Sequence, residues 1–182
     1  ALVCSRDEDV TCRQNGTFCL GVLGLSGGDQ VLPMMQTILS ALQPRLADDE
    51  DPSVRDNAVG ALARLVTAFG TQLPLNAILP GIVSSLPLKA DVGENAPAIR
   101  CLVGLAYAEE TRVQLGAFTQ QLLAIFGKLL GGKVKGVDDT LLHEIRQFVA
   151  WLNGLAPQQL QQGVMALPEE ERAPLLEVLQ VV

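Results

Sequence analysis

Aromatic side chains are scarce in this sequence. Five Phe, one Tyr and one Trp make up 4% of its 182 residues, while hydrophobic residues together reach 48%. A core of adequate size must therefore be packed from Leu, Val, Ala and Ile, as in stacked helices. Histidine is rarer still, with His143 alone. The four cysteines, Cys4, Cys12, Cys19 and Cys101, form no CxxC pair, so the spacing of a zinc site is missing and no metal or cofactor is expected. Their expected state is reduced and buried, with Cys12 and Cys19 on one apolar helical face. One His excludes a catalytic His pair, and the paired carboxylates fall in turns where nothing would raise a pKa. No enzyme activity is expected.

Positive charge is also short. Thirteen Lys and Arg face twenty Asp and Glu, for a net charge of −7 and a sequence pI near 4.6. Such a surface repels phosphate backbones, which excludes direct nucleic-acid binding and favours a basic partner. No apolar run reaches the roughly 18–20 residues of a membrane span, so no membrane partner is expected. Strand alternation, low-complexity tracts and domain breaks are missing too, and residues 1–182 read as one domain. No charged-then-apolar leader opens the chain. It starts in mid-pattern without Met, which predicts a piece of a longer repeat array.

What is present is one repeated unit, clearest over residues 48–69, DDEDPSVRDNAVGALARLVTAF. Pro52 suits the first turn of a helix, where its missing N–H would be unpaired anyway. The carboxylates of Asp48, Asp49, Glu50 and Asp51 sit at the positive end of the helix dipole. Val54, Ala58, Ala61, Leu62 and Leu65 then recur at helical spacing as one buried stripe. The same pattern returns around CRQNGTFCLGVL at Cys12, IRCLVGLAYAEE at Ile99 and IRQFVAWLNGLA at Ile145. The anchoring arginines Arg13, Arg55, Arg100 and Arg146 are 42, 45 and 46 residues apart. A period in the forties with two helices per unit is that of HEAT and armadillo repeats.

The predicted fold is thus all-α, a right-handed superhelical solenoid of about four HEAT repeats. The repeats cover roughly 1–28, truncated at its start, 29–70, 71–108 and 109–156, and capping helices follow over 157–182. The expected first (A) helices are 29–46, 74–86 with Pro80 as a kink, and a long one over 111–130. The expected second (B) helices are 9–25, 52–69, 94–107 and 139–155. Lys133 and Lys135 fall in a solvated loop over 133–137.

VRDNAVGALARL, the LPLKAD that starts at Leu86, CRQNGTFCLGVL and the closing ALPEEERAPLLEVLQ together resemble the C-terminal region of karyopherin-β (importin-β family) nuclear import receptors. That resemblance implies a HEAT-repeat carrier that shuttles between cytoplasm and nucleus and binds basic cargo in its concave groove. The implied cargo is the histone three/four pair, with or without a histone chaperone, and ribosomal proteins. Ran-GTP would bind mainly through N-terminal repeats outside this chain. The family carries further acids, often with an aromatic, just after LPLK. Here only Asp91 and Glu94 follow.

In a HEAT solenoid the B helices line the concave side. At about 100° per residue, positions one, five and eight after each anchoring Arg share an azimuth away from the core. That places Asp56, Phe18, Leu105 and Trp151 toward the groove, among Gly and Ala. Carboxylates gather at the helix entries, including Asp49, Asp51, Asp91, Glu94, Asp139 and Glu144. Phe18, Asp49, Asp51, Asp56, Asp91, Glu94, Leu105, Asp139, Glu144 and Trp151 are accordingly the candidate cargo-binding residues, an acidic rim along an apolar floor. Trp151 is suited to stack on a Lys or Arg stem. Ordinary helix capping also accounts for acids at helix starts. The arginines suit a structural ladder with acids of adjacent turns. The alternative function is a non-transport HEAT scaffold or assembly subunit that binds a folded partner.

Overall fold

A computed structural model describes residues 1–135 and 137–181. Among these residues every regular element is helical. In chain order they are α1 (Val10–Gly27), α2 (Met35–Leu42), α3 (Pro52–Phe69), α4 (Leu75–Ser85), α5 (Asn95–Tyr107), α6 (Glu109–Gly116), α7 (Thr119–Leu130), α8 (Asp139–Leu155), α9 (Pro157–Met165) and α10 (Glu169–Val181), joined by short 3-10 turns. The chain divides into two compact units, Ala1–Leu115 and Gly116–Val182, where the sequence reads as one continuous domain. Gly136, within the expected loop 133–137, and Val182, within the expected terminal pair, lie outside the described residues.

The first unit is organised around α3. Helices α1 and α5 pack along its two flanks, and α2 and α4 also rest on it. This is the helix-pair stacking of an all-α solenoid, with the B helices in the order α1, α3, α5. Val54, Ala58, Ala61, Leu62 and Leu65 are all buried, as their spacing predicts. With neighbours on both flanks, α3 buries far more than that stripe, including the polar Asp56 and Asn57. Asp51 caps the helix, its carboxylate accepting from the backbone N–H groups of Ser53 and Val54.

Two expected A helices differ from their sequence reading. Residues 29–46 do not form one helix: a 3-10 segment, Gly28–Met34, precedes α2 and another, Gln43–Leu46, follows it. Pro33 lies in the first segment and Pro44 in the second, and neither supplies the N–H that a continuous α-helix needs. The expected long helix over 111–130 is broken between α6 and α7. Phe118 leaves the helical conformation there, and the Thr119 hydroxyl donates to the Gly116 carbonyl. Helix α6 is tied back to the end of α5: Arg112 Nε donates to Ala106 O, and Thr111 Oγ1 donates to Leu105 O.

Within Val10–Leu46 one 18-residue window has a mean hydropathy of 1.2, enough for a membrane span by length and composition, contrary to the sequence expectation. The segment is interrupted at Gly28, whose φ is 51°, and at Pro33. The inward side of α1 meets protein, with Gly21 against Ala61 and Gly24 against Leu65.

The second unit packs α10 against α7 and α8, with α9 closing on the other three. Its core is Leu123, Phe126, Leu129, Leu141, Ile145, Val149, Val164 and Leu175. Phe148 meets Phe126 edge-on and stacks with Trp151, each at 5.6 Å between centroids. Lys133 is not simply solvated: its Nζ lies 2.6 Å from Glu170 Oε2, an exposed pair.

Candidate functional site

The site grows from the VRDN motif in α3. Asp and Asn disfavour a helix interior unless their side chains find backbone partners, and both find them here. Asp56 Oδ2 accepts the backbone N–H groups of Lys89, Ala90 and Asp91 at 3.1, 2.8 and 2.9 Å. Asn57 Nδ2 donates to the backbone carbonyl of Ser53 and to Asp91 Oδ2, each at 2.8 Å. From the far end, Asn95 exchanges hydrogen bonds with the backbone of Leu88 and donates to Val92 O. The residues of VRDN and LPLK are thus halves of one structure, in which α3 holds the segment that leads into α5.

That segment closes one polar face of the first unit. On α1 it carries Gln14 and Phe18, four residues apart. On α3 it carries Ser53, Asn57, Gly60 and Arg64, spaced as one stripe. On the 88–94 segment it carries Asp91 and Glu94. Gln14 Nε2 reaches Asp91 Oδ2 at 3.4 Å. Arg64 forms a bidentate ion pair with Glu94, at 2.5 and 2.9 Å, while its guanidinium carbon lies 5.0 Å from the centroid of the Phe18 ring. Phe18 remains 39% exposed.

A second cluster lies at the entry to α3. Glu50 Oε1 accepts from Arg13 Nε and Nη2, and Oε2 pairs with Arg45. Glu50 also accepts the backbone N–H of Asp51. Burial pushes the Glu50 carboxyl up, but the hydrogen bonds from Arg13 and Asp51 and the charges of both arginines outweigh it, and the net shift is downward. Asp51 is lowered as well, chiefly by hydrogen bonds from Ser53. Carboxyls lowered in the folded state stabilise fully above their unfolded values, and the contribution is lost as pH falls through the folded ones. Unfolding midpoints in urea should therefore drop steeply below about pH 4.5. Glu50→Gln should lower the neutral-pH midpoint and flatten that acid limb. An unchanged limb would mean that Glu50 does not carry it.

The candidate residues are placed unevenly. Phe18 is exposed on the polar face, and Asp91, which is reached by Gln14 one turn before Phe18 on α1, is half-exposed. Asp49 and Asp139 are exposed, Glu144 is half-buried, and Asp51 serves as the cap of α3. Three placements correct the sequence reading. Asp56 is buried and spent on backbone N–H groups. Leu105 is buried rather than part of an apolar floor. Glu94 is buried at 4% exposure and already paired. Trp151, expected toward a groove, is half-buried and stacked on Phe148. Of the cysteines only Cys101 is fully buried, and burial pushes its thiol up to about 11; Cys19 is exposed. Arg13 fits the structural ladder through Glu50, whereas Arg55 donates to a backbone carbonyl, Asp48 O.

Sequence reading placed Gly60 on the groove face and Glu50 among the acids at the entry to α3, but missed Arg64 and the ion pairs that hold Glu50 and Glu94. A Cβ on Gly60 would fall 1.5 Å from Glu94 Oε2, so the bare α-carbon lets Glu94 lie across α3. The available signal was an arginine four residues after a glycine on one helical stripe.

Comparison with known proteins agrees with this architecture. The HEAT-like repeat family matches residues 10–65, which span α1 to most of α3. The chain is 28% identical over 152 residues to a probable importin subunit beta-4 of Schizosaccharomyces pombe, covering 84% of this chain and 14% of that protein. It is 38% identical over 90 residues to importin-4 of Homo sapiens, covering 50% of this chain and 8% of that protein. Importin-4 of Mus musculus matches at 37% over 90 residues. The chain is importin-4-like over these stretches and spans only a small part of the length of each relative.

Proposed function

We propose that this chain is the cargo-binding part of an importin-type nuclear import receptor. It takes basic, lysine-rich segments, such as those of the histone three/four pair or of ribosomal proteins, without chemistry of its own. Three things support the reading: the names of its relatives, the net charge of −7, and the make-up of the polar face. The observation that carries it is an exposed aromatic, Phe18, on the same polar face as the half-exposed carboxylate of Asp91, with Arg64 held between the Phe18 ring and buried Glu94, on a strongly acidic chain. An aromatic face beside carboxylates suits the stem and charge of Lys or Arg. The chain would act while its receptor shuttles between cytoplasm and nucleus, with Ran-GTP engaged through other repeats.

The test is fluorescence anisotropy with a labelled lysine-rich histone three tail peptide, from about 50 to about 300 mM salt. Binding should saturate, weaken with salt, and fall about threefold in Asp91→Asn, as for the loss of one screened charge contact. Trp151→Ala, in the second unit, should leave it unchanged. Binding insensitive to Asp91→Asn would remove this face from the function. No binding even at low salt would favour a scaffold that takes a folded partner.

A further inference from the structure

Arg64 sits in the surroundings that a receptor provides for a basic side chain. Its guanidinium lies over the face of Phe18 at 5.0 Å and meets both oxygens of Glu94. Aromatic face plus bidentate carboxylate is the preferred environment of a guanidinium. The carboxylate can occupy this position only because Gly60 has no side chain. The Arg13–Glu50 pair in the same unit is different, since it knits helix entries together. Phe18 is 39% exposed, so the site opens to solvent on its aromatic side. Arg64 is half-buried on α3, between buried Ala63 and Leu65, with 14% of its side chain exposed.

We infer that Phe18, Glu94 and the bare surface of Gly60 form a binding site for a guanidinium or ammonium side chain, and that Arg64 is its resident occupant, which an incoming basic segment displaces. The inference rests on the cargo reading above for the identity of the incoming group. Exchange of one cation for another leaves the charge of the site unchanged, so Glu94 is never left buried and unpaired. The resident arginine lowers the affinity for every basic segment and thereby selects those dense enough in charge to compete.

Two measurements test this on the full chain. In the first, a labelled arginine- and lysine-rich peptide is titrated by anisotropy against wild type, Arg64→Met and Phe18→Ala/Arg64→Met. Arg64→Met should bind about five- to tenfold more tightly, and the second substitution should remove that gain. An unchanged or weaker affinity in Arg64→Met, with helicity retained, would overturn the displacement. In the second, ethylguanidinium at millimolar concentration is added to Arg64→Ala and the melting temperature recorded. It should rise by a few degrees in Arg64→Ala, but not in wild type or Glu94→Gln/Arg64→Ala. No selective rise would overturn the site itself. This second arm does not depend on any peptide: a rescue together with no peptide binding would retain the cation site and sink the cargo reading, whereas peptide binding without rescue would do the reverse.

Discussion

Asp56→Ala is expected to lower the stability of the first unit by about 3 kcal/mol, the upper part of the range for leaving buried polar groups without a partner. One carboxylate oxygen accepts three consecutive backbone N–H groups, those of Lys89, Ala90 and Asp91. Asp56 is only 7% exposed. Loss of the acceptor strands three donors and releases the segment that carries Asp91 and Glu94. Asp56→Asn keeps one oxygen in place but not its charge, and should cost roughly half as much. Urea unfolding followed by circular dichroism reads both units, whereas fluorescence of the single tryptophan, Trp151, reads the second. The expected result is an early transition by circular dichroism with the Trp151 transition in place. An unshifted first transition would mean that the 88–94 segment is held by Asn57 and Asn95 without Asp56.

The fold was legible because the repeat recurs at a nearly constant period and because the stripe of Val54, Ala58, Ala61, Leu62 and Leu65 can face only a core. The polar face was less legible, for a geometrical reason. A B helix in such a stack has a neighbour on each flank, so most directions away from the core are also buried. At about 100° per residue, the stripe through Ser53, Asn57, Gly60, Arg64 and Thr67 is centred about 50° from the azimuth inferred from the arginine anchors. That offset turns Asp56 and Ala63 into packing and leaves Phe18 on the surface. The acidic rim was legible only as composition. Charge counts cannot tell that Glu50 and Glu94 are held by arginines from other elements, 37 and 30 residues away in sequence. The breaks at Pro33 and Phe118 show the same limit locally: periodicity continued through both positions, while backbone chemistry did not.

Gly21→Val should destabilise the first unit by about 3 kcal/mol, the upper part of the range for overpacking a close contact. A Cβ at Gly21 would lie 2.5 Å from Ala61 Cα and 2.9 Å from Ala61 Cβ. The first obstacle is backbone, so no rotamer change relieves it. Helix α1 must move away from α3 along the flank where the two pack. Gly104→Ala is the matching experiment on α5. Nothing lies within 4 Å of a Cβ at that exposed position, so the substitution should stabilise by roughly 0.5–1 kcal/mol through helix propensity alone. The opposite signs separate two meanings of glycine in one unit, contact at Gly21 and mere backbone freedom at Gly104. They also bear on the polar face. Separating α1 from α3 carries Phe18 away from Arg64, so Gly21→Val should weaken basic-peptide binding beyond its effect on stability, while Gly104→Ala should leave binding unchanged. If Gly21→Val unfolds no earlier than wild type, the close approach of α1 to α3 is not what holds the first unit together.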